Sequence, residues 1–220
     1  MIDTLALSHA GRNLVLLGDP QQLKQPQKGS HPDGTGVSAL EHILQSEKTI
    51  LPEQGVFLDT TWRLHPAINN YISELFYEGR LQSMPQNEQQ RLEGNTKFKM
   101  PGIYFEPVIH YGNQNSSIEE VEKIKQVVQD LLTSQIYWID STGSRRLFLS
   151  TDIKIISPYN AQVNTLLNAL PQISTGPLDK FKGQEAPVII LSMATSSPED
   201  DHRVMEFLHS LNSLKLSVSW

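Results

Sequence analysis

Residues 153–171 read IKIISPYNAQVNTLLNALP and contain the pattern that decides the fold. The run at residues 153–156 is short and almost continuously apolar, which is typical of a parallel strand covered on both faces. The apolar positions that follow recur at helical spacing: Val163, Leu166, Leu167 and Leu170. Pro171 then ends the helical pattern. A buried strand that leads directly into an amphipathic helix predicts an α/β protein.

The same alternation recurs along the chain. Two further apolar runs, residues 14–17 (LVLL) and 188–191 (VIIL), predict buried strands. Helical spacing predicts further helices, at residues 37–46, 68–76 and 118–131. Ser117 and Glu120 have the spacing of a capping box in front of the last of these. The sequence therefore predicts an α/β fold with a parallel sheet flanked by helices.

Composition and charge exclude several classes of protein. The 220 residues contain no cysteine, which excludes a disulfide framework, a thiolate metal site and a cysteine nucleophile. The net charge is −6, but residues 141–190 are relatively basic, so a nucleic-acid surface is expected there. No apolar run approaches the roughly 18 residues of a membrane span, and the first residues lack a signal-peptide pattern. We therefore expect a cytoplasmic protein without membrane contact.

Two glycine patterns resemble phosphate-binding loops but do not meet their requirements. Residues 29–35 (GSHPDGT) have the glycine spacing of a P-loop, but Thr35 stands where the phosphate-binding lysine belongs. A G-x-G-x-x-A pattern begins at Gly34, but the predicted strand ends too early for a dinucleotide-binding turn. We interpret both patterns as a loop before an ordinary helix. A free-standing α/β hydrolase is disfavoured because no nucleophile is paired with a base.

Four segments in fixed order carry candidate chemistry. They are residues 14–23 (LVLLGDPQQL), 58–81 (LDTTWRLHPAINNYISELFYEGRL), 157–162 (SPYNAQ) and 178–197 (LDKFKGQEAPVIILSMATSS). Asp19 and Gln22 follow the first predicted strand, at the carboxyl edge of the sheet where open α/β folds bind ligands. Arg63 stands just before a predicted helix. Polar residues placed in this way favour a ligand site; the alternative that stays open is that Arg63 caps or pairs within its own helix.

These segments contain G-D-P-x-Q-L, W-R-L-H-P-x-I, S-P-Y-x-x-Q and D-K-F-x-G-Q-E-x-x-V-I-I-L-S. Their order resembles motifs III to V of superfamily 1 helicases. The pattern is most similar to the branch with the nonsense-mediated-decay RNA helicase and the helicase–nuclease proteins of DNA replication. Phrases such as GDPQQL look closer still to bacterial proteins that fuse a RecB-like nuclease to such a helicase. The resemblance implies a three-layer RecA-like (P-loop NTPase) domain.

The resemblance also implies an ATP site between two RecA-like domains. Gln22 is expected to reach the γ-phosphate or its attacking water, and Arg63 to act as an arginine finger on the phosphates. These two residues are the catalytic candidates. Trp62 is similar to the residue that stacks on adenine, and Glu185 to the carboxylate that binds the ribose hydroxyls. The candidate nucleotide-binding residues are Asp19, Gln22, Trp62, Arg63, Gly183 and Glu185.

A second set of residues is expected to contact single-stranded nucleic acid. By the same resemblance, these residues are Pro158, Tyr159, Gln162, Thr195 and Ser196. Short polar groups and one aromatic ring suit backbone contact and base stacking without sequence readout. We expect the strand to be DNA, with 5′→3′ translocation by analogy with the branch.

The chain departs from the family pattern at positions that matter for ATP hydrolysis. No motif I lysine or motif II acidic pair is found, so Mg²⁺ bound with ATP is expected to be held by another RecA-like domain. Trp220 stands where the motif VI arginine is expected, while Pro177 and Lys182 replace residues that are common in motif V. Loss of such an arginine lowers the rate by roughly 10³–10⁵. We therefore expect no metal ligand here and negligible ATPase activity from the chain alone.

These observations predict two unequal parts. Residues 1–49 are expected to be the remnant of a first RecA-like domain with a linker, and residues 50–220 the second RecA-like domain. A polar surface insertion is expected at about residues 82–102. The predicted function is the C-terminal part of an ATP-dependent DNA helicase, whose partners are an N-terminal RecA-like domain, a nuclease domain and a single strand. The alternative that stays open is a catalytically inactive nucleic-acid-binding remnant or scaffold.

Overall fold

The computed structural model describes residues 9–19, 37–45, 47, 49–181 and 183–196. Its α-helices are α1 (Ala39–Leu44), α2 (Pro66–Phe76), α3 (Ile118–Thr133) and α4 (Asn160–Ala169). Its strands are β1 (Thr60–Thr61), β2 (Gln82–Ser83), β3 (Arg91–Glu93), β4 (Tyr137–Ile139), β5 (Arg145–Leu147), β6 (Ile153–Ile156), β7 (Ser174–Gly176) and β8 (Val188–Leu191). Short 3₁₀ helices cover Pro85–Gln89, Ser150–Asp152 and Leu178–Phe181. The positions Gln22, Lys182, Trp220 and residues 29–36 lie outside the described residues.

A parallel sheet in the order β7-β6-β8 forms the centre of the fold. Its middle strand β6 places Ile155 opposite Thr175 on one side and Ile190 on the other. A second parallel pair, β1 with β2, is connected through α2. The α/β architecture with a parallel sheet and helices is therefore confirmed. A third sheet, β3-β4-β5, is antiparallel and was not expected from the apolar runs.

The main core lies between the central sheet and two helices. Successive side chains of a strand point to opposite faces, and Ile153 and Ile155 are both fully buried on the face that packs against α3 and α4. The helical residues in this cluster are Val121, Ile124, Val128, Leu131 and Leu166. On the other face, Ile156 packs against Leu178 and Phe181. Most of the predicted apolar stripe of α3 therefore lies in this core together with Leu166 of α4, whereas Ile118, at the start of α3, is 69% exposed.

The strand predicted at residues 14–17 is wrong. The strand predicted at residues 188–191 is present but is less buried than expected. Residues 14–17 form no strand, and Val15 and Leu17 are 79% and 88% exposed. A strand satisfies its backbone through neighbouring strands, and this run pairs with none in the part of the chain that the structure describes. The strand expected at residues 188–191 forms as β8, but it is half-buried because it is an edge strand of its sheet.

The helix starts follow the local sequence, with one correction. Ser38 and Glu41 form a complete capping box on α1, which agrees with an ordinary helix start at this point. Ser117 caps α3 by accepting the Glu120 N–H at 3.1 Å. The reciprocal bond expected from the Glu120 carboxylate is not made, because the Ser117 N–H donates instead to Gln162 Oε1 at 2.8 Å. No helix among the described residues is both long and apolar enough to cross a bilayer.

The polar stretch at residues 82–102 contains ordered elements rather than only a surface loop. It begins with β2, which pairs with β1, and continues through a 3₁₀ helix into β3, which pairs with β4. Asn87 within it is fully buried. This part of the chain therefore connects the two smaller sheets and contributes to the interior.

Candidate functional site

Arg63 and Glu185 are 122 residues apart in sequence and are joined by an ion pair in the structure. Arg63 Nε lies 2.5 Å from Glu185 Oε1. The two side chains are 45% and 62% exposed, so a ligand can reach both of them. The fold thus places a cation and a carboxylate from two separate candidate segments on one accessible surface.

The turn that carries Arg63 lies between β1 and α2 and is held by the polar stretch described above. The buried Asn87 amide donates to the Leu64 carbonyl at 3.1 Å. Gln90 Nε2 donates to the Arg63 carbonyl, also at 3.1 Å. These bonds satisfy main-chain acceptors of the turn, so they fix the backbone from which the guanidinium extends.

Hydrogen bonds also hold the loop that carries Glu185. Its turn is closed by the Gln184 N–H, which donates to the Phe181 carbonyl at 2.9 Å. Gly183 has φ of +77°, a conformation that glycine adopts without steric cost. The ammonium group of Lys154 donates to Gln184 Oε1 and to the Glu185 carbonyl, each at 3.0 Å. The loop is therefore anchored to the central strand β6.

Trp62 stands beside Arg63 in the chain and is 68% exposed. A large aromatic side chain with so much exposed surface can stack against a planar ligand. The structure thus brings four of the six candidate nucleotide-binding residues to two neighbouring segments. They are Trp62, Arg63, Gly183 and Glu185.

Asp19 lies elsewhere. Its carboxylate accepts a hydrogen bond from the Tyr77 hydroxyl at 2.5 Å, and burial together with Asp19 raises the pKa of Tyr77. Tyr77 follows the last residue of α2, whereas Arg63 precedes its first. A helix of 11 residues is about 16 Å long, so Asp19 and Arg63 lie at opposite ends of it. The structure does not bring these two candidates together, and Gln22 is outside the described residues.

The candidate strand-binding residues follow β6 and β8 and differ in exposure. Pro158, Thr195 and Ser196 are half-buried and lie at the surface. Tyr159 is 3% exposed and packs with Ala194, while Gln162 is fully buried. In this conformation only the first three can offer a surface to a ligand.

Gln162 uses its full hydrogen-bonding capacity inside the protein. Its Nε2 donates to the Ser117 carbonyl and to Ser192 Oγ, at 3.2 and 2.8 Å. Its Oε1 accepts from the Ser117 N–H and from Ser116 Oγ, at 2.8 and 3.1 Å. An amide side chain has two donor hydrogens and two acceptor lone pairs. Gln162 therefore joins the start of α3 to the loop after β8.

Glu120 fixes the same loop from the first turn of α3. Its carboxylate accepts from Ser192 Oγ at 2.6 Å and from the Ala194 N–H at 3.0 Å. His110 lies between Glu120 and Ser196, with its ring nitrogens 3.3 Å from Glu120 Oε1 and 2.7 Å from Ser196 Oγ. Ala194 adopts φ of +65°, which is uncommon for a residue other than glycine. The loop is thus held in a strained conformation by side chains from α3 and the segment before it.

Three residues that support the site were missed by the sequence interpretation. Lys154 was read as one position of an apolar strand, Asn87 as part of a surface insertion, and Glu120 as half of a capping box. Each acts through a partner that is distant in sequence, and a local pattern carries no information about such partners. A charged residue within an apolar run was the one signal that could have indicated Lys154.

Comparison with known proteins agrees with the motif order. Residues 35–219 match a family model described as an AAA domain. The chain is 31% identical over 227 residues to "Putative helicase MOV-10" of Gallus gallus, an alignment that covers 86% of this chain and 22% of that protein. It is 25% identical to DNA polymerase alpha-associated DNA helicase A of Schizosaccharomyces pombe, with 95% of this chain and 32% of that protein covered.

A third relative is Helicase SEN1 of Saccharomyces cerevisiae, which is 24% identical over 98% of this chain and 10% of its own length. The chain therefore spans between about a tenth and a third of the length of these relatives. All three are named as helicases. The similarity thus extends over most of this chain but over only a part of each relative.

Proposed function

The chain belongs to the AAA domain family, among the superfamily 1 helicases, and we propose that it supplies one side of an ATP site and part of a single-strand-binding surface. The main support for this proposal is the ion pair between Arg63 and Glu185. Two segments that the motif order assigns to the nucleotide come together although they are 122 residues apart. An ion pair formed by chance between two surface charges would not be expected to join these two motifs.

In the proposed site, each side chain has a role that its chemistry supports. The Arg63 guanidinium donates to phosphate oxygens and stabilises the negative charge that develops on them during phosphoryl transfer. The Glu185 carboxylate accepts hydrogen bonds from the ribose hydroxyls, and the Trp62 ring stacks on the base. ATP must then compete with the ion pair between Arg63 and Glu185, because each ligand contact replaces part of that pair.

Magnesium is expected with ATP, and its protein ligands are proposed to come from the N-terminal RecA-like domain. No group of three or more His, Cys, Asp or Glu side chains in that part of the chain is arranged to hold a metal ion. In this proposal the chain binds the base and ribose of the nucleotide, and Arg63 stabilises the charge on the phosphates. Hydrolysis is proposed to need an N-terminal RecA-like domain in addition, while an attached nuclease domain stays a prediction.

The proposed strand surface is formed by Pro158, Thr195 and Ser196. These residues lie on loops that follow the parallel strands β6 and β8, and such loops share one edge of a sheet. Their small polar groups suit contact with a sugar–phosphate backbone. Tyr159 and Gln162 act in this proposal from beneath the surface, by holding the two loops in place.

Nucleotide and strand binding by the 220-residue chain test the proposal. Quenching of Trp62 fluorescence by ATP measures nucleotide binding, with Trp62→Phe as the signal control. Anisotropy of a labelled single-stranded oligodeoxynucleotide measures strand binding, and the matching oligoribonucleotide tests the preference for DNA. We expect Arg63→Ala to weaken ATP binding about tenfold or more, since hydrogen bonds to charged groups are strong. The matched control is Arg91→Ala, whose side chain is also 45% exposed and paired with a carboxylate.

The possible outcomes separate the open alternatives. ATP binding that depends on Arg63, together with strand binding that does not, supports a helicase part. Strand binding without ATP binding favours a nucleic-acid-binding remnant. If the chain binds neither ligand, or if Arg91→Ala weakens ATP binding as much as Arg63→Ala does, the proposal is overturned.

A further inference from the structure

Lys154 is a buried cation in the middle strand of the central sheet, and its charge is not needed for packing. The side chain is 6% exposed, and its neighbours on β6 are Ile153, Ile155 and Ile156. Burial lowers the pKa of Lys154, and the nearby Glu185 opposes that effect in part. Burying an ammonium group is unfavourable, so an apolar residue would fill this position at a lower free-energy cost.

Within the part of the chain that the structure describes, the side-chain hydrogen bonds of Lys154 lead to one loop. Its Nζ donates to Gln184 Oε1 and to the Glu185 main-chain carbonyl, each at 3.0 Å. It also lies 5.5 Å from the centre of the Phe181 ring, at the start of the same loop. Both hydrogen-bond acceptors are uncharged, so the ammonium group holds an amide and a backbone oxygen in place, and its attraction to the Glu185 carboxylate acts without a direct hydrogen bond.

We propose that Lys154 is a positioning residue that sets the place of the Glu185 carboxylate in the nucleotide site. This inference rests on the proposed function, in which Glu185 binds the ribose hydroxyls. Lys154 holds the main-chain carbonyl of Glu185. It thereby fixes the backbone from which the Glu185 side chain extends, and hence the distance between the Glu185 carboxylate and Arg63. Lys154 touches no ligand in this scheme, and its effect on binding passes entirely through Glu185.

The readout is the preference for ATP over 2′-deoxyATP, because only a contact with the ribose distinguishes these two ligands. Both affinities are measured by quenching of Trp62 fluorescence in the full chain. We expect Glu185→Gln to lower the preference by about tenfold, and Lys154→Met to lower it by a similar factor. The double variant is expected to show almost the same preference as Glu185→Gln alone, since both changes remove the same contact with the ribose.

Lys180→Met is the matched control. Lys180 also packs against Phe181, at 5.6 Å, and its Nζ donates to the Thr175 carbonyl at 2.8 Å rather than to the Glu185 loop. We expect this variant to retain the wild-type preference for ATP. Circular dichroism and thermal unfolding show whether each variant is folded.

If Lys154→Met does not fold, Gln184→Leu decides the question, because Gln184 is exposed and its side chain supplies one of the two acceptors. It is expected to lower the preference by a smaller factor. If Glu185→Gln lowers the preference while folded Lys154→Met, or Gln184→Leu in its place, does not, the positioning role is overturned and the proposed function stands. If wild-type chain binds both nucleotides equally or not at all, the assignment of Glu185 to the ribose fails and the positioning role fails with it.

Discussion

Arg63 and Glu185 neutralise each other across two segments that are distant in the chain, with 2.5 Å between Nε and Oε1. Both side chains are substantially exposed, and exposed ion pairs contribute only about 0–1 kcal/mol to the free energy of unfolding. The pair can therefore open at little cost to the stability of the fold. A ligand that offers phosphate to Arg63 and hydroxyl groups to Glu185 replaces both halves of it.

Opening the pair by mutation should favour a ligand that needs only the cation. We expect Glu185→Gln to bind inorganic tripolyphosphate several-fold more tightly than the wild type, because Arg63 no longer has a competing carboxylate. Isothermal titration calorimetry measures the affinity. Glu93→Gln is the control, because Glu93 pairs with Arg91 and Arg145 elsewhere. An unchanged affinity in Glu185→Gln would contradict competition between carboxylate and phosphate.

Removing the Gln162 side chain should destabilise the fold. Gln162→Ala leaves buried partners such as the Ser117 N–H unsatisfied, at about 1–3 kcal/mol for each such group. We expect Tm to fall by roughly 5–10 °C, since 1 kcal/mol corresponds to about 2–4 °C for a chain of this size. Gln126→Ala, at an exposed position of α3, should leave Tm nearly unchanged. Equal Tm values for the two variants would show that the buried network contributes little.

The Glu120 carboxylate should influence strand binding without touching the strand. Glu120→Gln weakens the bonds to Ser192 and Ala194, so the loop after β8 becomes less ordered. We expect single-strand affinity to fall several-fold, as measured by fluorescence anisotropy. Glu122→Gln removes an exposed charge from the same helix, where Glu122 is ion-paired with Lys125. Loss of a negative charge alone should strengthen binding to a polyanionic strand, so Glu122→Gln is not expected to weaken it. If Glu122→Gln weakens binding as much as Glu120→Gln does, the loop contacts of Glu120 do not explain the effect.

The cap of α2 should make stability depend on pH. His65 Nδ1 accepts the Ala67 N–H at 3.0 Å, which requires an unprotonated Nδ1. Burial lowers the pKa of His65, although Glu88 opposes this effect. The unfolded chain therefore binds a proton at a higher pH than the folded chain does. The stabilisation is fully present above about pH 6.5 and is lost as the pH falls through the lower pKa of the folded state.

Thermal unfolding between pH 8 and pH 5 measures this dependence. His65→Asn is the matched variant, since asparagine can cap a helix but does not titrate in this range. As the pH falls, we expect the Tm of the wild type to decrease more than the Tm of His65→Asn does. A difference that is constant across the range would exclude a contribution from this cap.

The elements that follow from local periodicity could be predicted from the sequence. The stripe of α3 has one buried face and the run of β6 is buried on both, and the spacing of apolar residues reports each kind of burial. The run at residues 14–17 shows the limit of this reasoning. Its composition is that of a strand, but a strand also requires a neighbour for its backbone, and no local pattern states whether one is present.

The candidate site could be predicted only in part, for a related reason. The motif order indicated both Arg63 and Glu185, but the contact between them depends on the packing of two separate segments. The positions of Asp19 and Gln162 likewise depend on their partners, Tyr77 in one case and Ser117 with Ser192 in the other. Residue type indicates what a side chain can bind, whereas the fold decides whether its partner is protein or ligand.

The Gln-rich stretch at residues 82–102 looks dispensable in the sequence, and a protein engineer seeking a minimal domain would delete it first. Asn87 and Gln90 within it hold the carbonyl groups of Leu64 and Arg63. Deleting the stretch also removes β2 and β3, so a shortened chain loses their pairing with β1 and β4 together with control over the direction of the Arg63 guanidinium. Asn87 and Gln90 are therefore the two positions of this stretch on which the geometry of the Arg63 turn depends.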